Sequence, residues 1–182
     1  MKSRVVILGT FVIFLLLVSS VFGQIGFKGI GATVGYIFPE DPIESTIALG
    51  ARADLGTIFN ENMRLMGEFL YWSKGWDEAD FEWSWSQIYI TALTKYSFAQ
   101  PGATLIPYAG GGLGFVIGKS EWDTNVPGLS GDESETDLAI HLLGGIDYLL
   151  SPQMTGYAEL RYTLDYPDFF GIFVGFAYNL GM

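Results

Sequence analysis

Charged side chains recur inside segments of the chain that otherwise carry small or apolar residues. Residues 46–56 are an example, because apolar side chains alternate there with small, polar or charged ones. Residues two apart on a strand share a face, so this alternation predicts a strand with one apolar side. The same alternation along the chain puts four positive and four negative residues on the other side: Arg52, Asp54, Arg64, Glu68, Lys95, Asp147, Glu159 and Arg161. Such a balanced set supports mutual ion pairing, and an ion or proton path is the alternative.

His141 is the only histidine of the sequence and falls on the same face as the charged residues. A histidine beside a hydroxyl and an acid can activate a nucleophile, and Tyr89 and Thr91 share this face on another segment. These residues form no recognisable triad, and Leu142 and Leu143 follow the histidine. A structural or pH-sensing histidine is therefore the preferred interpretation.

Two further motifs resemble ligand-binding sites but lack residues that such sites require. Residues 132–137 offer hard oxygen ligands for calcium, but they lack the spacing and the central glycine of an EF-hand loop. They predict a solvated acidic loop, with recruitment of divalent cations as a weaker alternative. The glycines at 110, 111, 112 and 114 precede no Lys-Ser/Thr pair and open no helix, so they are not a phosphate-binding loop. We expect neither a metal site nor a cofactor.

Eight alternating segments position these residues. They are 27–38, 46–58, 63–72, 85–98, 105–118, 137–149, 155–164 and 170–180. Tight turns rich in Asn, Pro and Gly, at 59–62, 99–102 and 150–153, alternate strictly with longer or more acidic connections at 39–45, 73–84, 119–136 and 165–169. This order predicts an antiparallel meander with short turns at one end and long connections at the other. A turn at Asn60 and Glu61 also brings Arg52 nearly opposite Glu68, which we expect to be the first ion pair.

Aromatic residues are banded along the predicted strands. All the tryptophans fall near the ends with long connections: Trp72, Trp76, Trp83, Trp85 and Trp122. A second group clusters toward the opposite end: Phe59, Tyr96, Phe98, Tyr148 and Tyr178. Aromatic rings prefer the headgroup depth of a bilayer, so two bands indicate an aromatic girdle at each membrane interface. The acidic residues are concentrated in the long connections, which leaves too few charges inside the strands to solvate a barrel exterior.

Composition excludes several classes of protein. The formal net charge of −11 disfavours nucleic acid and other polyanions as partners.

Lys2 and Arg4 precede an apolar run and a small-residue site at Gly23, which is typical of a secretory signal peptide at residues 1–23. The alternative is a single spanning helix at residues 5–22. An exported chain without cysteine must also fold without disulfides.

The chain resembles the small eight-stranded outer-membrane β-barrels of the OmpA, OmpX and OmpW kind. The resemblance covers residues 24–182 and is carried by the Gly-rich segment 106–114 and by the closing segment 170–182, in which apolar residues alternate. Strands that close such barrels usually finish on an aromatic residue, whereas the last residue here is Met182. The resemblance implies an all-β, closed, antiparallel, up-and-down transmembrane barrel in the bacterial outer membrane. Lipid, lipopolysaccharide and the barrel assembly machinery are then the expected partners.

Three functions follow from this interpretation. The favoured one is a structural or adhesive surface protein, with a closed, ion-paired interior and acidic, Trp-rich loops outside the cell, whose external ligand is unknown. A narrow channel for small apolar solutes, as in the OmpW-like branch, is the first alternative, because Leu70, Leu143 and Phe173 face inward. A lipid A-modifying enzyme built around His141 is the second.

Overall fold

The structure is a computed structural model that describes residues 25–78, 81–98, 100, 102–124 and 131–181. These residues form β1 (Gly29–Pro39), β2 (Thr46–Thr57), β3 (Met63–Glu78), β4 (Phe81–Ser97), β5 (Leu105–Thr124), β6 (Gly131–Ser151), β7 (Met154–Leu164) and β8 (Phe169–Asn179). Each strand pairs antiparallel with the next, and β8 pairs with β1, so the sheet closes. The predicted eight-stranded up-and-down barrel is confirmed. The predicted signal peptide and Met182 lie outside the described residues.

Alternation of burial explains why these segments become strands of a barrel. Along β1, every second residue from Gly29 to Ile37 is buried and the residues between are exposed. The exposed set is apolar around the whole barrel, and Leu49, Ile90 and Leu113 are each more than half exposed. A continuous apolar band of this kind is unfavourable in water and suits the hydrocarbon of a bilayer. In the described part of the chain, no helix is long and apolar enough to span a membrane.

The two ends of the barrel differ. The lower end carries the turns after β2, β4 and β6, and there Gly29 of β1 lies opposite Asn179 of β8. The upper end carries the connections after β1, β3, β5 and β7. Strands β1, β2, β7 and β8 contain 11 or 12 residues, whereas β3 to β6 contain 16, 17, 20 and 21. The four long strands continue above the upper end as a projecting sheet, which we define as residues 73–78, 81–86, 119–124 and 131–139.

The projecting sheet corrects the predicted strand boundaries. Residues 73–84 and 119–136 were expected to be connections, yet most of their described residues pair as strands. The last rung shared by β2 and β3 joins Ala48 to Trp72, and the last shared by β6 and β7 joins Ile140 to Leu164. Beyond these rungs neither face of the sheet has to be uniformly apolar, so the hydrophobic alternation ends while the backbone pairing continues. The acidic segment 132–137 is therefore part of β6 and not a loop.

The tryptophans also require a correction. Trp72 is only 1% exposed and belongs to the core inside the barrel, so its assignment to a lipid-facing girdle is wrong. Trp76 and Trp85 pack against the same core, and Trp83 is the register partner of both Trp76 and Trp122. Register partners share a face, which places all five indoles on the inward face of the sheet. The position of each tryptophan along its strand predicted the end of the barrel at which it lies. It did not predict whether the side chain faces the lumen or the lipid.

The outward aromatic residues at the two ends are different ones. At the upper end, the rings on the exposed face are 39% to 48% exposed and belong to Tyr36, Phe38, Tyr71, Tyr162 and Phe170. At the lower end, the exposed rings include the group expected there: Phe59, Tyr96, Phe98, Tyr148 and Tyr178. The aliphatic band lies between these two sets of rings, as the depth profile of a bilayer favours.

Candidate functional site

Four charged side chains meet at the centre of the barrel. Arg52 of β2 is the register partner of Glu68 of β3, while Glu159 and Arg161 extend from β7 on the far side of the lumen. Arg52 Nε lies 2.5 Å from Glu68 Oε2, and Arg52 Nη2 lies 2.7 Å from Glu159 Oε1. Arg161 Nη1 contacts Glu68, and its Nη2 lies 2.7 Å from Glu159 Oε1. None of the four residues is more than 6% exposed, and we call them the central tetrad.

Aromatic residues complete the contacts of the central tetrad. The Tyr108 hydroxyl donates a hydrogen bond of 2.9 Å to Glu159 Oε2. The guanidinium of Arg52 lies 4.5 Å from the centre of the Tyr157 ring, and that of Arg161 lies 4.6 Å from the centre of the Phe173 ring. A guanidinium over an aromatic face gains cation–π attraction where water is excluded. All four charges are therefore paired and hydrogen-bonded, and each guanidinium also packs on an aromatic ring.

The remaining predicted charges form two pairs nearer the lower end. Lys95 Nζ lies 2.5 Å from Asp147 Oδ2 and 4.5 Å from the centre of the Tyr108 ring. Arg64 Nη1 lies 2.8 Å from Asp54 Oδ2, and the Arg64 side chain is 43% exposed. The structure thus brings the eight predicted charges together in three groups rather than in one.

The layer above the central tetrad is mainly apolar. Leu70 and Phe173 are fully buried and belong to the same core cluster as Trp72. His141, which is 1% exposed, lies 3.2 Å from Thr91 Oγ1 through Nε2 and 2.9 Å from Thr163 Oγ1 through Nδ1. Neither partner is a carboxylate. The geometry makes His141 a cross-link between β4 and β7 and gives it no triad.

A polar latch covers this layer at the upper end. Tyr89 Oη lies 2.6 Å from Gln87 Oε1 and 2.7 Å from Asp165 Oδ2, and Gln87 Nε2 donates to the Tyr166 carbonyl oxygen. One hydroxyl proton cannot serve two acceptors, so the short contacts fit a protonated Asp165 that donates to Tyr89. Burial, helped by the nearby carboxylates of Asp168 and Asp137, raises the pKa of Asp165 to about 7.

Sequence reasoning identified the inward position of Tyr89 but not the latch. Its partner Asp165 lies in the connection after β7, where an acidic residue looks solvated. The signal was weak: a connection of four residues between two strands, 165–168, cannot reach far from the lumen that those strands border. Tyr108 was missed for a different reason, since it stood in a Gly-rich segment that was considered only for its backbone.

Two cavities lie on opposite sides of the filled centre. The upper one has a volume of about 240 Å³ and is bordered by Trp85, Gln87 and three carboxylates of β6. The lower one has a volume of about 230 Å³ and reaches Arg52. Across the described ranges of the chain, no group of three His, Asp or Glu side chains is placed to hold a metal ion.

Comparison with known proteins assigns the family. The sequence model described as "Outer membrane protein beta-barrel domain" matches residues 18–179. This chain belongs to the outer-membrane β-barrel proteins. The upper end, which carries the long hairpins, is therefore external, and the lower end with its short turns is periplasmic. None of the curated protein sequences compared with the chain matches it.

Solved outer-membrane barrels share the fold. Ail, the attachment invasion locus protein of Yersinia pestis, is 19% identical, with a TM-score of 0.60 over 85% of this chain and 99% of Ail. Neisserial surface protein A is 16% identical, with a TM-score of 0.63 over 84% of this chain and 96% of that protein. The N-terminal β-barrel domain of Pseudomonas aeruginosa OprF is 12% identical, with a TM-score of 0.54 over 85% of this chain and 99% of that domain. At these identities the likeness shows the outer-membrane barrel fold alone.

The central tetrad yields a stability prediction. Glu159→Gln keeps the size of the side chain but leaves two buried guanidinium groups with one carboxylate. We expect the free energy of unfolding to fall by about 3–5 kcal/mol, as for other broken buried pairs. Urea unfolding of the barrel in lipid vesicles measures this change. The control is Glu44→Gln, which removes the exposed partner of Lys74 and should change the value by less than about 1 kcal/mol. Equal losses in the two variants would contradict the assignment.

The latch yields a pH prediction. The pKa of Asp165 is about 7 in the folded protein and about 4 in an unfolded chain. The folded state therefore keeps a proton that the unfolded chain has lost in this window, and its stability falls as pH rises from about 4 to 7. Between pH 5 and pH 8 this group should lower the free energy of unfolding of the wild type by about 2 kcal/mol, and Asp165→Asn should lack this decrease. The exposed Asp132→Asn is the control, and identical slopes in wild type and Asp165→Asn would refute the prediction.

Proposed function

We propose that this outer-membrane barrel is a closed structural and adhesive surface protein and not a solute channel. The central tetrad carries the proposal, because its ion pairs run from β2 and β3 to β7 across the lumen. An eight-stranded barrel is only wide enough for its interior to be filled by side chains. The buried layer of Leu70, Phe173 and His141 above the tetrad adds a second barrier.

The projecting sheet supports the adhesive role. A tilted strand needs only about 9–11 residues to cross a membrane, and β5 and β6 contain 20 and 21. The extra length extends a four-stranded surface beyond the outer leaflet. Its edges along residues 73–78 and 131–139 have no partner strand among the described residues. A paired sheet with open edges offers a partner an area that a membrane-embedded barrel lacks.

The envelope supplies the other partners in this proposal. We propose that residues 1–23 direct export as a cleaved signal peptide, that the assembly machinery inserts the barrel, and that its apolar band contacts outer-membrane lipid and lipopolysaccharide. The solved complex of Ail with the heparin analogue sucrose octasulfate shows that Ail binds a polyanion. Because this chain has a net charge of −11, we propose a different choice of external partner.

The two alternatives have less support. An apolar channel requires a continuous apolar lumen, whereas the central tetrad places four charges across it. A lipid A-modifying enzyme requires an accessible nucleophile, whereas His141 and its hydroxyl partners Thr91 and Thr163 are at most 4% exposed. We propose that His141 is structural.

Closure is tested by electrical recording. Purified wild-type barrel in planar lipid bilayers should show no stable openings, because both the central tetrad and the apolar layer above it fill the lumen. An open porin inserted from the same detergent serves as the positive control. Stable conductance steps from the wild-type barrel would refute a closed interior and favour the channel.

A further inference from the structure

The projecting sheet has two unlike faces. Its inward face carries Trp76, Trp83, Trp85 and Trp122, together with the carboxylates of Glu133, Glu135 and Asp137. Its outward face carries no aromatic residue in the part that the structure describes, and residues such as Ser84, Lys119 and Ser134 stand there. The girdle at this end is formed by other rings, so anchoring in lipid does not explain the tryptophans.

The indoles form one continuous surface. Trp76 and Trp83 stack with ring centres 4.6 Å apart and planes within 19° of parallel. Trp85 meets Trp83 edge-on at 6.3 Å, and Trp83 Nε1 donates a hydrogen bond of 2.8 Å to Ser120 Oγ. These contacts hold the rings in place before any partner arrives. A rigid aromatic surface loses little conformational entropy on binding, which is the property of residues that anchor interfaces.

The upper cavity adjoins this surface and is acidic. The 240 Å³ cavity is lined by Trp85 and Gln87 of β4, by Val116, Gly118 and Ser120 of the neighbouring β5, and by Glu133, Glu135 and Asp137 of β6. No Lys, Arg or His is among the described residues that line it. Lys74 is the register partner of Trp85 and lies on the inward face, but its Nζ is paired with Glu44 at 2.8 Å and it does not line the cavity. Lys119 pairs with Glu121 on the outward face. The cavity therefore presents three carboxylates beside an indole, a combination that favours a cation.

We propose that this face docks a basic, extended polypeptide segment, with one Arg or Lys side chain in the cavity between Trp85 and the carboxylates of β6. The cavity alone would suit a small amine. The aromatic surface, however, continues from Trp85 to the stacked pair of Trp76 and Trp83, beyond the reach of a ligand confined to the cavity. Arginine stacks on aromatic faces and pairs with carboxylates, so a segment with several basic residues uses the whole face. This inference rests on the adhesive function and names the chemistry of its partner.

Peptide binding to the full chain in lipid nanodiscs tests the proposal. The probe is a short fluorescent peptide in which Arg alternates with Gly, followed by fluorescence anisotropy. We expect it to bind and to perturb tryptophan emission, whereas a Glu-Gly peptide of the same length should not bind. Glu133→Gln combined with Glu135→Gln should weaken binding about tenfold, and Trp83→Ala should weaken it further while the heat-modifiable folded band is retained.

A matched variant separates a site from general attraction. Glu121→Gln combined with Asp132→Asn removes the same charge from the outward face, at positions that are register partners. This variant should bind the Arg-Gly peptide as wild type does. Equal weakening by the two double variants, or spermidine displacing the peptide and binding as tightly, would overturn the proposal. If the peptide does not bind, the proposal of a closed barrel still stands, because conductance tests closure separately.

Discussion

Neutralisation of buried charge inside a narrow lumen is the constraint on which the rest of this structure depends. An isolated guanidinium or carboxylate in the barrel centre would be very costly, so Arg52, Glu68, Glu159 and Arg161 can exist there only as a paired set. These ion pairs form only if β7 faces β2 and β3 across the lumen with the four side chains at the same height. The same contacts that satisfy the charges therefore close the lumen and oppose slippage of the strands.

The rest of the molecule is arranged in depth around that centre. Aliphatic residues surround the tetrad on the lipid side, rings mark both interfaces, and the latch of Tyr89 and Asp165 covers the external side of the core. Above it, four strands continue beyond the membrane and carry the tryptophans and carboxylates on their inward face. In the proposed function, the barrel is the base in the membrane and the projecting sheet is the surface that a partner contacts.

The sequence predicts local features of this arrangement better than distant ones. Alternation predicts eight strands, and the register of one hairpin predicts that Arg52 faces Glu68. Arg52 and Glu159 are 107 positions apart in the sequence. Their contact depends on which strands face each other across the closed barrel, and no local pattern encodes that. Trp72 was assigned to the wrong face because depth and face are independent variables in a strand. The projecting sheet was missed because strands surrounded by water have no need of apolar alternation.

Accessibility of the lumen to a charged thiol reagent tests the closed centre most directly. The sequence contains no cysteine, so single cysteines report without interference. Thr91 is the register partner of Glu68 and is 4% exposed, while Glu135 lines the upper cavity and Asn62 lines the lower one. A closed barrel in lipid should label at Glu135→Cys and Asn62→Cys and leave Thr91→Cys unmodified from either side. Rapid labelling of Thr91→Cys in the folded protein would show an open lumen and contradict the account.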